Sequence, residues 1–286
     1  MNNTNKVFAQ PWKNYELIDA GGGKKLERWG SVVTIRPERQ AYFKSGEPHS
    51  KWNKMADWEF EEKDKNKGVW KPLKPDALDQ WAVNYKNLQF NLSITNFKHL
   101  GLFPEQVYNW SFIYENLQTD KRMLNLFAYT GAASVVGRSS GAEVVHVDAV
   151  KPMITWAREN MESSGLDGIK WVVEDAITFA KREVKRGNHY DLMIMDPPAW
   201  GLGTKKQKWK LEQQLPQLID LAYQLLNPKG SMILNTYSPR VTLDEVKDIV
   251  ALYFGDKNTE AYELWMKTTT NKELFFGQVV RANKKA

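Results

Sequence analysis

The residues best equipped for chemistry stand at Asp196-Pro197-Pro198-Ala199-Trp200, directly after the apolar run 192–195. Two prolines fix the backbone and remove two N–H donors, so carbonyls and the Asp196 carboxylate remain as acceptors. Such a row suits a planar nitrogen substrate whose amino hydrogens need partners. Trp200 offers a face on which a base can stack, worth roughly 1–3 kcal/mol. The competing reading is a rigid surface turn with a packing tryptophan. Behind it runs Gly201-Leu202-Gly203-Thr204-Lys205-Lys206-Gln207-Lys208-Trp209-Lys210, read as a glycine-hinged loop with four lysines. It is either a solvated face or a clamp for a phosphate backbone.

Two further acids are candidates for holding a nucleoside. Asp148 ends the apolar run 144–147, where an acid can accept both hydroxyls of a ribose. Asp175, in Val173-Glu174-Asp175-Ala176, could accept from an adenine amino group. Either acid could equally cap the helix that follows it. Upstream, Phe127-Ala128-Tyr129-Thr130-Gly131 reads as a strand-to-helix turn whose backbone around Thr130 and Gly131 faces a ligand. Dinucleotide sites place glycines where Phe127 and Tyr129 stand, so close approach of a diphosphate is excluded. A nucleoside without phosphates fits, and S-adenosylmethionine is the commonest such cofactor. His99 lies in the loop 97–103, where a lone histidine is more often structural than catalytic.

These positions need a scaffold that brings strand ends together. From residue 122 the pattern alternates strands (123–127, 143–147, 169–174, 191–195, 231–236) with helices (132–140, 151–164, 176–186, 215–226, 242–254). This predicts an α/β, doubly wound, mostly parallel sheet with ligands at the strands' carboxyl ends. Thr242-Leu243-Asp244-Glu245 is a capping-box pattern, and 262–267 and 274–281 read as two closing strands. Pro104 opens a helix to residue 117. Residues 15–95 are β-rich, with strands at 15–20, 31–36, 56–62 and 69–73 and a hairpin of 81–85 with 88–94 across Lys86-Asn87. Seven of the 12 tryptophans precede residue 111 and suit the core of a small β domain better than a stacking surface.

Composition narrows the chemistry further. Among 286 residues there is no cysteine, which excludes disulfides, thiolate zinc sites and cysteine nucleophiles. No apolar run reaches the ~18 residues of a membrane helix, and the amino terminus is polar. The net charge of +6 permits nucleic acid without demanding it.

Residues 124–134, His146-Val147-Asp148, Trp156-Ala157-Arg158-Glu159-Asn160, 191–200 and Asn235-Thr236-Tyr237-Ser238-Pro239 resemble class I S-adenosylmethionine-dependent methyltransferases. The closest resemblance, over roughly residues 15–281, is to the large-subunit (23S) ribosomal RNA methyltransferases of the I and K type, which act on cytosine carbon 5 or guanine nitrogen 7. It implies a Rossmann-like, seven-stranded domain at 101–286, a β-rich substrate-recognition domain at 15–100 and a tail at 1–14. It implies S-adenosyl-L-methionine as cofactor, held through Asn125, Phe127, Tyr129, Thr130, Gly131 and Ala132. Asp148 with Ala149, Asn160, Asp175 with Ala176, and Asp196 complete that set. Phe103 and Gln106 join it from Gly101-Leu102-Phe103-Pro104-Glu105-Gln106. Asp196, Pro197, Pro198 and Trp200 are the expected catalytic residues, RNA the expected partner through Lys205–Lys210, and the cytoplasm the expected location; no metal is assigned. Two departures stand out: the 14 residues before Tyr15 are expected to leave no room for the amino-terminal RNA-binding domain of many members, and Thr236-Tyr237 occupies the place of the cytosine enzymes' cysteine. Without a thiol the expected product is a nitrogen-methylated base. A methyltransferase for a protein or small molecule, an RNA-binding protein without catalysis, and a nicotinamide dehydrogenase are the alternatives.

Overall fold

Period-two alternation in the first third of the chain becomes antiparallel sheet, and the strand–helix alternation after it becomes parallel sheet. The computed structural model describes residues 5–64, 67–202 and 208–285. They form two compact units, one of residues up to 7, 109–264 and 277 onward, the other of 8–108 and 265–276.

The chain opens with β1 (Lys6–Phe8). The second unit then takes β2 (Tyr15–Gly21), β3 (Lys24–Trp29), β4 (Val32–Pro37), α1 (His49–Met55), β5 (Trp58–Asp64) and β6 (Lys67–Pro72). β2 to β6 pair in chain order as a five-stranded sheet. Only β4 and β5 run parallel, with α1 in the connection between them. β7 (Gln80–Tyr85) and β8 (Leu88–Ser93) form a separate hairpin across Lys86, whose φ is 52°.

β3 is invisible to hydropathy because Lys24, Lys25, Glu27 and Arg28 occupy four of its six positions. It forms because its charges find partners inside. Glu27 is fully buried; Arg36 donates to it from Nε at 2.7 Å and Nη2 at 2.8 Å, and the Tyr15 hydroxyl donates at 3.0 Å. Burial alone would push the Glu27 carboxyl up, but Arg36 and Lys25 hold it below the usual carboxylate value. Asp19 plays a similar part for β2. It accepts from the N–H of Ala20, Gly46 and Glu47, from Trp52 Nε1, and from Thr270 Oγ1 at 2.5 Å. Its neighbours are therefore drawn from both segments of this unit.

The other unit is built on α2 (Val107–Asn116), β9 (Arg122–Leu126), α3 (Ala132–Ser139), β10 (Glu143–Asp148), α4 (Lys151–Ser163), β11 (Lys170–Val173), α5 (Ala176–Arg186) and β12 (Tyr190–Met195). Then come β13 (Trp200–Leu202), β14 (Lys208–Lys210), α6 (Leu211–Leu225), β15 (Leu226–Thr236), α7 (Leu243–Phe254), β16 (Thr259–Lys267) and β17 (Glu273–Asn283). The sheet order is β1-β16-β17-β15-β12-β9-β10-β11. β9 to β12 and β15 run parallel, β17 pairs antiparallel with β15, and β1 is an eighth strand beyond the seven expected. Strand order reverses between β9 and β12, the switch point at which such sheets bind ligands.

The two faces of this sheet differ in chemistry. Leu124, Leu126, Val145, Val147, Met193, Met195, Met232 and Leu234 pack with residues of α5, α6 and α7 in one continuous apolar core. The alternate positions include Asn125, His146 and Arg281, which Ser134 of α3 and Asn109 of α2 meet with polar side chains. α6 starts four residues before the expected position because it carries Pro216 in its interior, where a helix is not anticipated. The loop expected at 201–210 is in part a hairpin: Trp200, Gly201 and Leu202 pair with Lys210, Trp209 and Lys208. Lys205, Lys206 and Gln207 lie outside the described residues.

Candidate active site

The turn after β9 has left-handed backbone at every second residue: φ is 56° at Phe127, 52° at Tyr129 and 80° at Gly131. For side chains other than glycine this costs roughly 1–2 kcal/mol each. Phe127 and Tyr129 thus adopt the left-handed backbone that glycine favours, with side chains that glycine lacks. Several contacts hold the turn. The Phe127 ring packs on Trp209 at 4.9 Å, the Tyr129 N–H donates to Asp148 Oδ2 at 2.8 Å, and Asn160 Nδ2 donates to the Thr130 carbonyl at 2.9 Å. Gly131 must be glycine on spatial grounds too, since a Cβ there would lie 2.8 Å from that of Ala157 and 3.3 Å from His146 Cε1.

Asn125 Nδ2 donates to Ser134 Oγ at 2.9 Å, which lies 3.0 Å from His146 Nδ1. Burial pushes the His146 imidazole down to about 3, so it is neutral in use. Asn125 and Asn160 are both buried, and each donates to a neighbour in the protein, Asn125 to Ser134 and Asn160 to the Thr130 carbonyl. Ala132 opens α3, whose N-cap Gly131 supplies no side-chain cap and so leaves first-turn N–H groups without one.

Asp148 ends β10. Its two oxygens each take one backbone donor, Tyr129 N on Oδ2 and Val150 N on Oδ1, both at 2.8 Å. It does not cap α4, whose N-cap is Val150. Burial pushes its carboxyl above the ordinary aspartate value, against the pull of those two N–H groups. Ala149 and the exposed Val150 continue from it, the latter an apolar surface beside the acid. Asp175 is the N-cap of α5, yet both capping bonds, from Thr178 N and Oγ1, fall on Oδ1. Ala176 follows it as the first helical residue.

Asp196 and Pro197 lie just past β12, half-buried and buried, and Trp200 is 59% exposed. One expected acceptor is engaged: the Pro198 carbonyl takes a hydrogen bond from Trp209 Nε1 at 2.5 Å. Trp209 itself is buried, so it anchors both this segment and Phe127 and offers no exposed stacking face. Only the alternation Lys208-Trp209-Lys210 hinted at this. Lys208 is exposed and Lys210 half-buried. At the end of β15, Thr236 is buried and its hydroxyl donates to Gln278 Oε1 at 3.0 Å. Phe103 and Gln106 sit at the 3-10 turn Pro104–Gln106, within the unit of residues 8–108. His99, in the same unit, is pushed down to about 3 by burial and by Arg36, Lys98 and Lys25.

Sequence reading missed a third polar chain, because its members lie far apart along the backbone. Arg281 Nη2 donates to Asn109 Oδ1 at 3.1 Å, and Asn109 Nδ2 donates to Asn235 Oδ1 at 2.9 Å.

The polar groups fit a nucleoside cofactor that carries no phosphate: carboxylates at or just past the ends of two neighbouring strands, N–H groups at α3 with no side-chain cap, and Phe127 and Tyr129 at the turn positions where dinucleotide sites place glycines. A family model described as S-adenosylmethionine-dependent methyltransferase matches residues 60–258. A solved S-adenosylmethionine-dependent methyltransferase from Agrobacterium tumefaciens superposes with a TM-score of 0.91 at 32% identity, covering 100% of this chain and 98% of that one. The ribosomal RNA large subunit methyltransferase K/L of Shewanella frigidimarina is 28% identical over 162 residues, 54% of this chain and 22% of that protein. The ribosomal RNA large subunit methyltransferase I of Klebsiella pneumoniae is 33% identical over 135 residues, 46% and 34% of the two chains. The matches thus span only about a quarter to a third of the length of these curated relatives.

Proposed function

The chain belongs to the S-adenosylmethionine-dependent methyltransferase family, and from that premise we propose that it methylates a ring or amino nitrogen of a base in ribosomal RNA. S-adenosylmethionine, when bound, supplies a methyl group already activated on a sulfonium. The residues of this chain then have an orienting task, an effect worth up to ~7–11 kcal/mol. Asp148 accepts the ribose hydroxyls, Asp175 accepts from adenine through Oδ2, and the first-turn N–H groups of α3 receive the methionine carboxylate. Asp196 accepts a hydrogen from the acceptor nitrogen and relieves it of its proton. Trp200 stacks a base taken out of its helix, with Lys208 and Lys210 beside it for the phosphate backbone. The β-rich segment 15–100 takes part in recognising the substrate, in the cytoplasm.

The observation that carries nitrogen over carbon is Thr236. Carbon 5 of a pyrimidine needs a nucleophile added first at carbon 6, normally a thiolate. The chain has no cysteine, and the hydroxyl in the corresponding place is buried and donating to Gln278. The names of the two curated relatives support RNA as the substrate class. Incubating the protein and labelled S-adenosylmethionine with ribosomal RNA from cells lacking the gene, then identifying the methylated nucleoside by mass spectrometry, tests this. A nitrogen-methylated nucleoside is the expected product. Stoichiometric 5-methylcytidine overturns the nitrogen assignment, and turnover on protein or small molecules without RNA overturns the substrate.

A further inference from the structure

The chain Arg281–Asn109–Asn235 fixes something that a single asparagine leaves open. Amide oxygen and nitrogen can exchange places, and the neighbours decide which way each faces. A guanidinium only donates. Asn109 must therefore turn its oxygen to Arg281 and its NH2 to Asn235, and Asn235 must answer with its oxygen. Its Nδ2 is then the group directed away from Asn109, and that group is a donor. Nothing along the chain is loose: Asn109 and Asn235 are buried, and the guanidinium lies over the Phe112 ring at 4.4 Å.

Strand register says where that donor stands. In the parallel pair of β12 and β15, Ile194 lies beside Ile233 and Met195 beside Leu234. The next residue on β15 is Asn235, and Asp196 is the first residue past the end of the neighbouring β12, so the two follow directly on paired positions. Thr236, one residue further on, is engaged by Gln278.

We infer that Asn235 is a positioning residue that donates from Nδ2 to the Asp196 carboxylate and holds it toward the acceptor base. This rests on the reading of Asp196 as the acceptor-facing group. A donor there sets the carboxylate's rotamer and favours its charged form, the form able to receive a hydrogen from the base. Arg281, at the far end, sets the sense of the whole chain without reaching the substrate.

The decisive variant is Asn109→Asp, in helix α2. The carboxylate it introduces can still pair with Arg281, but it presents only acceptors to Asn235. That amide must then rotate and turn its oxygen toward Asp196. The expected result is a fall in kcat of at least about tenfold, with the Kd for S-adenosylmethionine changed by less than about twofold. The carboxyl 13C titration of Asp196 in the cofactor-free protein moves upward, as does the acid limb of kcat measured on undermethylated ribosomal RNA. Asn235→Asp, which sets two carboxylates side by side, moves both further in the same direction. Asn109→Asp with wild-type kcat and an unmoved titration overturns the inference, as does a melting temperature that falls together with kcat while the pH profile stays put. Asp196→Ala separates the two levels: if it remains active, the reading of Asp196 itself fails, whereas a dead Asp196→Ala beside an unaffected Asn109→Asp removes only the role of Asn235.

Discussion

Asp148 has each carboxylate oxygen engaged by one backbone N–H group, which fixes the carboxylate at the end of β10. Asp148→Ala is expected to weaken S-adenosylmethionine binding by ~2 kcal/mol or more, the loss of a charge-assisted hydrogen bond, about thirtyfold in Kd. Calorimetry on both proteins measures it. The pH dependence follows in sign. Burial raises this carboxyl above the ordinary value of 3.8, so on acidification it is protonated earlier than a free aspartate. Cofactor affinity should be constant above the raised value and weaken as pH falls through it, with proton release on binding in that window, detected by calorimetry in buffers of different ionisation enthalpy. Thr236→Val is the matching negative prediction. It removes the bond to Gln278, costs about 1 kcal/mol of stability, and leaves the identity of the methylated nucleoside unchanged. The positions of Asp148 and Asp196 at strand ends were legible because each follows an apolar run, and the structure places them at the end of β10 and just past β12. That Asn125 and Asn160 bond to Ser134 and the Thr130 carbonyl was not legible, since these partners lie 9 and 30 residues away along the chain.

Elements were legible where local chemistry and tertiary demand agree. Thr242 and Glu245 form the capping box that their spacing announces, and α5 runs from Asp175 as cap to Gly187 beyond its last turn. Thr242→Ala should lower stability by ~1 kcal/mol in chemical denaturation. Where the partner is distant, pattern misled. β3 carries charges whose counter-ions come from other strands, Glu16 on β2, Arg36 on β4 and Glu59 on β5, with Tyr15 as a further contact of Glu27, so it reads as a polar loop. Glu27→Ala leaves the buried Arg36 guanidinium without its bidentate partner and should cost about 3–5 kcal/mol. The Trp200 hairpin misled in the opposite way: lysines and glycines suggest a free loop, but Trp209 pins it from within. Trp209→Phe keeps the ring against Phe127 and removes only the N–H that the Pro198 carbonyl accepts. Turnover should drop while cofactor Kd moves by less than about twofold.

At the scale of the molecule, sheet order was foreseeable because a right-handed strand–helix–strand unit leaves few alternatives. The division of the sheet into an apolar face toward α5–α7 and a polar one toward α2 and α3 was not, since strands buried on both sides read as uniform apolar runs. Asp19 is a second long-range feature, and it makes the other unit sensitive to acid. Burial would raise its carboxyl, but Thr270, Glu47, Gly46 and Ala20 together hold it below 3.8. Its stabilising contribution is therefore complete above the unfolded value and is lost as pH falls through the depressed folded one. Asp19→Asn should flatten that part of the stability–pH curve.

Thr270 reaches Asp19 from 251 residues further along the chain, and Thr269 reaches Leu17 and Ile18 over a similar span. On a ribosome adding ~5–20 residues each second, β2 emerges roughly ten seconds to a minute before the strand turn that completes its surroundings has been made. For that interval Asp19 lacks one of its donors, and the carbonyls of Leu17 and Ile18 lack theirs. The earlier-made segment thus waits on the later one to reach its final state, and premature termination anywhere before residue 269 leaves it unfinished. Pulse-labelled nascent chains should gain protease resistance over residues 8–108 only after residues 265–276 have emerged.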